Sequence, residues 1–165
     1  MKETKVMKQG KIREPISDFL TNTPLFDGLK KNEIESIAKH LNFIELSKDE
    51  ILFKEGEKGN CVCFVVEGTL DVIKQSLTGE SVIITALHRG RSIGEMSVID
   101  DFPRSATVKA RTEVRLVVLM KEGFDLLLEE NPQVGIKILK RITRLLSLNL
   151  RKTSSRLADY MLPLA

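Results

Sequence analysis

The sequence predicts a mainly β fold, a sandwich, barrel or jelly roll, with helices before and after it. Seven short β-rich runs alternate with glycine-containing turns between about Phe43 and Met120. Strands that recur about every 8–12 residues are typical of sandwiches and barrels. Helical spacing of apolar residues appears only outside this region. Closing the strands into a jelly roll would also remove exposed edges, which otherwise invite aggregation.

The N-terminal part is predicted to be a loose tail followed by helices. Residues 1–14 are polar and carry five basic side chains against two acidic ones, which is typical of a flexible basic tail. Residues 15–42 are predicted to hold the N-terminal helices, the first opened by Pro15 and ending near Thr21. The second covers residues 30–41, where the apolar residues share one helical face. Those residues are Ile34, Ile37, Ala38 and Leu41.

The β core is predicted over residues 43–120. Glycine turns such as Lys58-Gly59-Asn60, Glu67-Gly68 and Thr78-Gly79-Glu80 separate its strands. Two cysteines two positions apart place both thiols on one face of a strand, where core packing is favoured over a redox role. The predicted strands are 43–46, 51–54, 61–67, 69–76, 81–87, 105–110 and 113–119.

Residues 121–165 are predicted to form C-terminal helices. A first helix covers 121–130 and is interrupted at Asn131-Pro132, where a long helix opens and continues to about Tyr160. Its apolar residues repeat every seven positions, as in a coiled coil, so we expect a homodimer through this helix. Packing against the chain's own β domain is the alternative. The seam consists of Leu139, Thr143, Leu146, Leu150, Thr153, Leu157 and Tyr160.

Composition excludes several classes of protein. The formal net charge is +3, too small to indicate a nucleic-acid-binding protein by itself. Two cysteines cannot form a zinc pattern or a disulfide framework, and no metal is expected. Residues 1–14 lack the apolar core of a signal peptide, and no run reaches the roughly 18 apolar residues of a membrane span. We therefore expect a cytoplasmic protein with no membrane association.

The segment from Ile93 to Val108 carries the chemistry. Gly94 permits a tight turn and close approach of the backbone to a ligand, and a short helical turn over 95–100 would leave leading N–H groups free for an anion. The guanidinium of Arg104 suits two oxygens of one phosphate, and Ser105 adds a hydroxyl. Glu95 can accept hydrogen bonds from a sugar hydroxyl. A surface ion pair between Arg104 and Glu95 is the alternative.

The run Gly94-Glu95-Met96-Ser97, followed after six residues by Arg104-Ser105-Ala106-Thr107-Val108, resembles the phosphate-binding cassette of the cyclic-nucleotide-binding family. The resemblance extends over roughly residues 19–150. It includes Glu55 to Asn60, Cys63 to Leu70 and Pro24-Leu25-Phe26. It implies an eight-stranded β-roll with helices at both ends.

The resemblance also implies roles for individual residues. Glu95 matches the residue that binds the ribose 2′-hydroxyl, and Arg104 matches the arginine paired with the cyclic phosphate. Asn149 of the long helix falls at a polar base contact, although fixing the register of a coiled coil explains it as well. Ser105 does not decide between cAMP, which we favour, and cGMP. The remaining cassette positions assigned to the ligand are Gly94, Met96, Ser97, Ser105 and Ala106.

The implied function is a regulatory sensor in which a cyclic mononucleotide shifts the C-terminal helix and controls an unidentified effector protein. A nucleotide-independent interaction protein with the same fold is the alternative. DNA binding is not expected, since the five residues after Tyr160 are too few for a helix-turn-helix. Enzymatic activity is not expected either, because His40 and His88 lie far apart and no nucleophile–base pattern is found.

Overall fold

A computed structural model describes residues 16–76 and 78–161, so the predicted tail 1–14 and Pro15 lie outside the described residues. Eight antiparallel strands form two four-stranded sheets with helices at both ends, which confirms the predicted jelly roll. The helices are α1 (Ile16–Thr21), α2 (Lys31–Ala38), α3 (Lys121–Glu130) and α4 (Pro132–Met161), with 3-10 helices at Pro24–Phe26 and Glu95–Val98. The strands are β1 (Leu41–Leu46), β2 (Ile51–Phe53), β3 (Cys61–Glu67), β4 (Leu70–Gln75), β5 (Ser81–Leu87), β6 (Ser92–Ile93), β7 (Thr107–Ala110) and β8 (Val114–Met120).

The two sheets face each other across one part of the core. The first has the strand order β1-β8-β3-β6 and the second β2-β7-β4-β5, so strands adjacent in sequence often lie in different sheets. Side chains that alternate along β3 explain its uninterrupted apolar sequence. Cys61 and Cys63 pack between the sheets, whereas Val62 and Phe64 pack against the helices on the outer face. The strand is therefore covered on both faces, and the packing role predicted for both cysteines is confirmed.

One helix ends earlier than predicted, and one strand was not predicted. Helix α2 ends at Ala38 rather than near residue 41, because the chain turns there and Leu41 already pairs with Leu119 of β8. The eighth strand, β6, was not predicted from the run pattern. It has only two residues, Ser92 and Ile93, which pair with Phe64 and Cys63 of β3, and so short a segment carries no periodic signal.

Helix α4 has two different halves. Its first turns bury Val134, Ile138 and Ile142 against the helical core, and the seam residues Leu139 and Leu146 are half-buried there. Packing against the chain's own domain therefore accounts for this half. Every residue from 147 to 161 is exposed, so that alternative is wrong for the second half. None of the helices described here is long and apolar enough to cross a membrane.

Candidate functional site

Gly94 forms the turn that begins the site. Its φ of +86° lies in the left-handed region, which glycine adopts without the penalty that a side chain would add. The predicted helical turn follows as a 3-10 helix, Glu95–Val98. The Ser97 N–H donates to the Gly94 carbonyl at 3.1 Å, so it is not among the N–H groups of this turn that are free for an anion.

Arg104 is delivered to this turn by a backbone pairing distant in sequence. Its N–H donates to the Glu57 carbonyl at 2.7 Å, and its own carbonyl accepts the Gly56 N–H at 2.9 Å. The side chain is only 7% exposed. Nη1 donates to the Ser97 hydroxyl at 2.8 Å and to the Cys61 carbonyl at 3.1 Å, with a longer bond to the Gly94 carbonyl. The loop, the glycine turn and β3 therefore meet at one buried guanidinium.

The opposite edge of this guanidinium is poorly satisfied. Nη2 donates to the Cys61 sulfur at 3.3 Å, and sulfur is a weak acceptor. Nε is buried with no hydrogen-bond partner. The Phe53 ring lies under the charge, 3.5 Å from the guanidinium carbon to its centroid, but supplies no lone pair. Nε and Nη2 together form the fork of donors that matches two oxygens of a phosphate, and among the described residues neither nitrogen is bonded to an oxygen acceptor.

Glu95 is the carboxylate of the site. It is 8% exposed, and burial raises its pKa, against the opposing influence of its own backbone N–H and of the Arg91 and Arg104 charges. Arg104 donates no hydrogen bond to it among the contacts of the described residues, and neither side chain is on the surface. The alternative of a surface ion pair between them is therefore wrong. A buried carboxylate can accept a hydrogen bond from a neutral hydroxyl group.

Two glycines make room for Arg104. A Cβ on Gly59 would lie 2.7 Å from Arg104 Nε and 2.8 Å from Ser97 Cβ, and closer still to Ser97 Oγ. A Cβ on Gly94 would lie 2.8 Å from the Cys61 carbonyl and closer to Arg104 Nη1. Sequence reasoning placed Gly59 in a turn without a role in the site, and it missed Cys61 and Phe53. The only signal in the sequence was the pair Gly56 and Gly59, because glycines allow other groups to approach the backbone closely.

The other predicted site residues occupy the periphery. Met96 and Ser105 are exposed and Ala106 is half-buried, and the Ser105 carbonyl accepts the Lys74 ammonium at 2.7 Å. Asp101 is exposed and forms an ion pair with Lys121 at 2.8 Å. Asn149 is exposed on α4, and no hydrogen bond of the described structure joins it to the cassette. The cassette residues are thus brought together, whereas Asn149 is not brought to them.

A family model described as "Cyclic nucleotide-binding domain" matches residues 43–131. The chain is 24% identical over 146 residues to a CRP-like cAMP-activated global transcriptional regulator of Mycobacterium tuberculosis, covering 88% of this chain and 63% of that protein. It is 34% identical over 110 residues to a cAMP-dependent protein kinase regulatory subunit of Emericella nidulans, covering 67% of this chain and 26% of the relative. The chain thus spans less than two thirds of these curated relatives.

A solved cyclic nucleotide-binding domain from Methylobacillus flagellatus has a TM-score of 0.79 to this structure and 28% sequence identity. The match covers 88% of this chain and 82% of that one. The similarity therefore includes the helices at both ends as well as the β-roll.

Proposed function

The chain belongs to the cyclic nucleotide-binding domain family, and from that premise we propose that it is a sensor of cAMP that acts through its long helix α4. The family membership makes it a cyclic nucleotide-binding regulatory domain. Two relatives, named as cAMP-activated and cAMP-dependent, support cAMP as the ligand of this chain.

The observation that carries the proposal is the half-used guanidinium of Arg104. A cyclic phosphate has two exocyclic oxygens and one negative charge, and the unpaired Nε with the weakly bonded Nη2 offers two donors to them. The side chain is already ordered by Ser97 and Cys61, so binding loses little additional conformational entropy. Glu95 would then accept the ribose hydroxyl, and the exposed Ser105 would flank the phosphate.

Helix α4 is the proposed output. In its exposed half, 68% of Leu150, 59% of Leu157 and 79% of Tyr160 are accessible to solvent. Apolar side chains exposed to this extent are typical of a surface that another molecule covers. We expect the same helix of a second copy to do so, with Asn149 brought to the base when the helix moves. A ligand can shift this helix only if it binds one helix position more tightly than the other. The effector remains an unidentified protein.

The test is a calorimetric titration of the protein with cAMP and cGMP, and with 5′-AMP as the non-cyclic control. Arg104→Ala removes the donors without filling their place, and the loss of such a buried partner costs roughly 2–5 kcal/mol. The expected drop in affinity is thus about 30-fold to several thousand-fold. Arg115→Ala is the matched control, because Arg115 forms ion pairs with Glu45 and Glu67, which lie outside the cassette.

Binding of cAMP that is lost in Arg104→Ala and kept in Arg115→Ala supports the sensor. Tighter binding of cGMP than of cAMP would identify cGMP as the ligand instead. No heat and no thermal stabilisation with either cyclic nucleotide would refute the sensor in favour of a nucleotide-independent interaction protein.

A further inference from the structure

Cys61 lies where the cassette meets the interior of the β-roll. Its sulfur accepts a hydrogen bond from Arg104 Nη2 at 3.3 Å, and its carbonyl accepts one from Nη1 at 3.1 Å. Cys61 is therefore joined to the cassette arginine through both its backbone and its side chain. Arg104 Nε, on the same edge of the fork, is buried without a partner. The charge that faces this sulfur is thus not neutralised by a carboxylate hydrogen-bonded to Arg104.

A cavity gives small molecules a route to this sulfur. Its volume is about 860 Å³, and both Cys61 and Cys63 line it. The lining extends from these buried thiols to the exposed residues Glu45 and Glu113, so the cavity connects the space between the sheets with the surface. Gly94, Glu95, Ser97 and Arg104 are not part of its lining. A reagent can therefore reach Cys61 through this cavity without passing those four cassette residues.

The surroundings of the two thiols make them chemically unequal. A hydrogen bond from Cys63 and the adjacent Arg104 charge lower the pKa of Cys61 to about 7, against burial and the Glu122 carboxylate of α3. The hydrogen bond to Cys61 and complete burial raise the pKa of Cys63. The thiolate is the nucleophilic form of cysteine. Cys61 is therefore the member of the pair poised to react near neutral pH.

We propose that Cys61 is a thiol-modification site for small disulfides, and that its modification removes Arg104 from nucleotide binding. The Cys61 thiolate attacks one sulfur of a disulfide R–S–S–R, the S–S bond breaks, and a Cys61–S–S–R bond forms. The displaced thiolate RS⁻ takes up the proton that Cys61 lost. Cys61 is oxidised and half of the small disulfide is reduced, so no further oxidant is needed.

The link to the ligand rests on the proposed function. The added group would occupy the space beside Nη2, on the edge that a cyclic phosphate would bind. Conversely, a bound phosphate would affect the thiol. It would engage Nε and Nη2 of Arg104, so that the hydrogen bond and charge that lower the pKa of Cys61 are weakened and this pKa rises. Modification and nucleotide binding therefore exclude each other through one guanidinium.

The experiment treats the full chain with 2-hydroxyethyl disulfide and follows each cysteine by peptide mass mapping across pH. We expect Cys61 to react with half-maximal rate near its pKa of about 7, and Cys63 to stay unmodified. Groups that face the cavity and could distort the profile are Glu45, Glu50, Glu67, Glu113 and Arg115. An excess of cAMP is expected to slow the reaction on the order of tenfold, since a thiol of ordinary pKa is only a few per cent ionised at neutral pH.

Nucleotide titrations of the treated protein complete the test. Treatment is expected to abolish cAMP binding by wild type, whereas the cAMP affinity of Cys61→Ser is expected to be the same before and after treatment, and Cys63→Ser controls for the second thiol. Equal reaction of both cysteines, or a profile centred at ordinary thiol pKa, would overturn the modification site. Full nucleotide affinity after complete Cys61 modification would overturn the coupling. Failure of untreated protein to bind any cyclic nucleotide would overturn the proposed function alone, because selectivity and pH profile test the thiol without nucleotide.

Discussion

Gly59→Ala is the substitution that tests whether a backbone turn shapes the cassette. The new Cβ would lie 2.7 Å from Arg104 Nε, where ordinary contact begins at 3.4 Å, so the arginine must retreat by about 0.7 Å. The new Cβ also crowds the Ser97 side chain. The Ser97 hydroxyl therefore has to move, which breaks or distorts the 2.8 Å hydrogen bond that it accepts from Arg104 Nη1. Crowding of this kind costs roughly 1–3 kcal/mol.

The displaced atoms are the proposed phosphate donors, so the loss should appear in nucleotide binding. We expect cAMP affinity to fall about 5- to 150-fold, because a loss of roughly 1–3 kcal/mol in binding free energy raises the dissociation constant by that factor. The assay is calorimetric titration, with thermal unfolding measured on the same samples.

The matched control is Gly79→Ala in the turn between β4 and β5. Gly79 has a φ of +84° and nothing within 4 Å of its would-be Cβ, and its N–H donates to the Ser76 carbonyl, so alanine there strains a backbone turn that has no bond to Arg104. Its cost, about 1–2 kcal/mol, should fall on stability and leave affinity near that of wild type. Equal affinity losses in the two variants, or wild-type affinity in Gly59→Ala, would refute the reasoning.

Two further predictions concern pH and assembly. Burial raises the pKa of Glu95, so its contribution to stability is fully present below the unfolded pKa and is lost as pH rises through the folded pKa. Glu95→Gln, which does not titrate, should lose less stability than wild type as the pH rises above the ordinary glutamate pKa of 4.5, measured by urea unfolding without nucleotide. Parallel stability curves for the two proteins would contradict this. The double variant Leu150→Glu, Leu157→Glu should sediment as a monomer where wild type forms a dimer, because charges would enter the exposed seam. Leu148→Glu, at a similarly exposed position outside the seam, is the control. A wild-type protein that sediments as a monomer would refute the predicted dimer.

The sequence was most informative where chemistry is local. Gly94 by itself predicted the turn, and Arg104 with Ser105 led to the hypothesis of an oxyanion site, because these residue types have conformational and hydrogen-bonding preferences that do not depend on their position in the chain. Short β-rich runs bounded by turn residues likewise located seven of the eight strands that the structure describes. Strand β6 was missed because a segment of two residues is too short to be recognised as such a run.

Only the tertiary structure decided which distant residues surround the arginine. Cys61 lies 43 positions before Arg104, and nothing in a cysteine two residues from another indicates that its carbonyl and sulfur will face a guanidinium. The need for glycine at position 59 arises from the same convergence, since its would-be Cβ meets atoms of Ser97 and Arg104. Helix α4 has one continuous helical pattern in sequence, yet only its first half is covered by the chain itself. Local preference sets turns and strands, whereas contacts between segments far apart in sequence depend on how the sheets close, and that closure is a property of the whole chain.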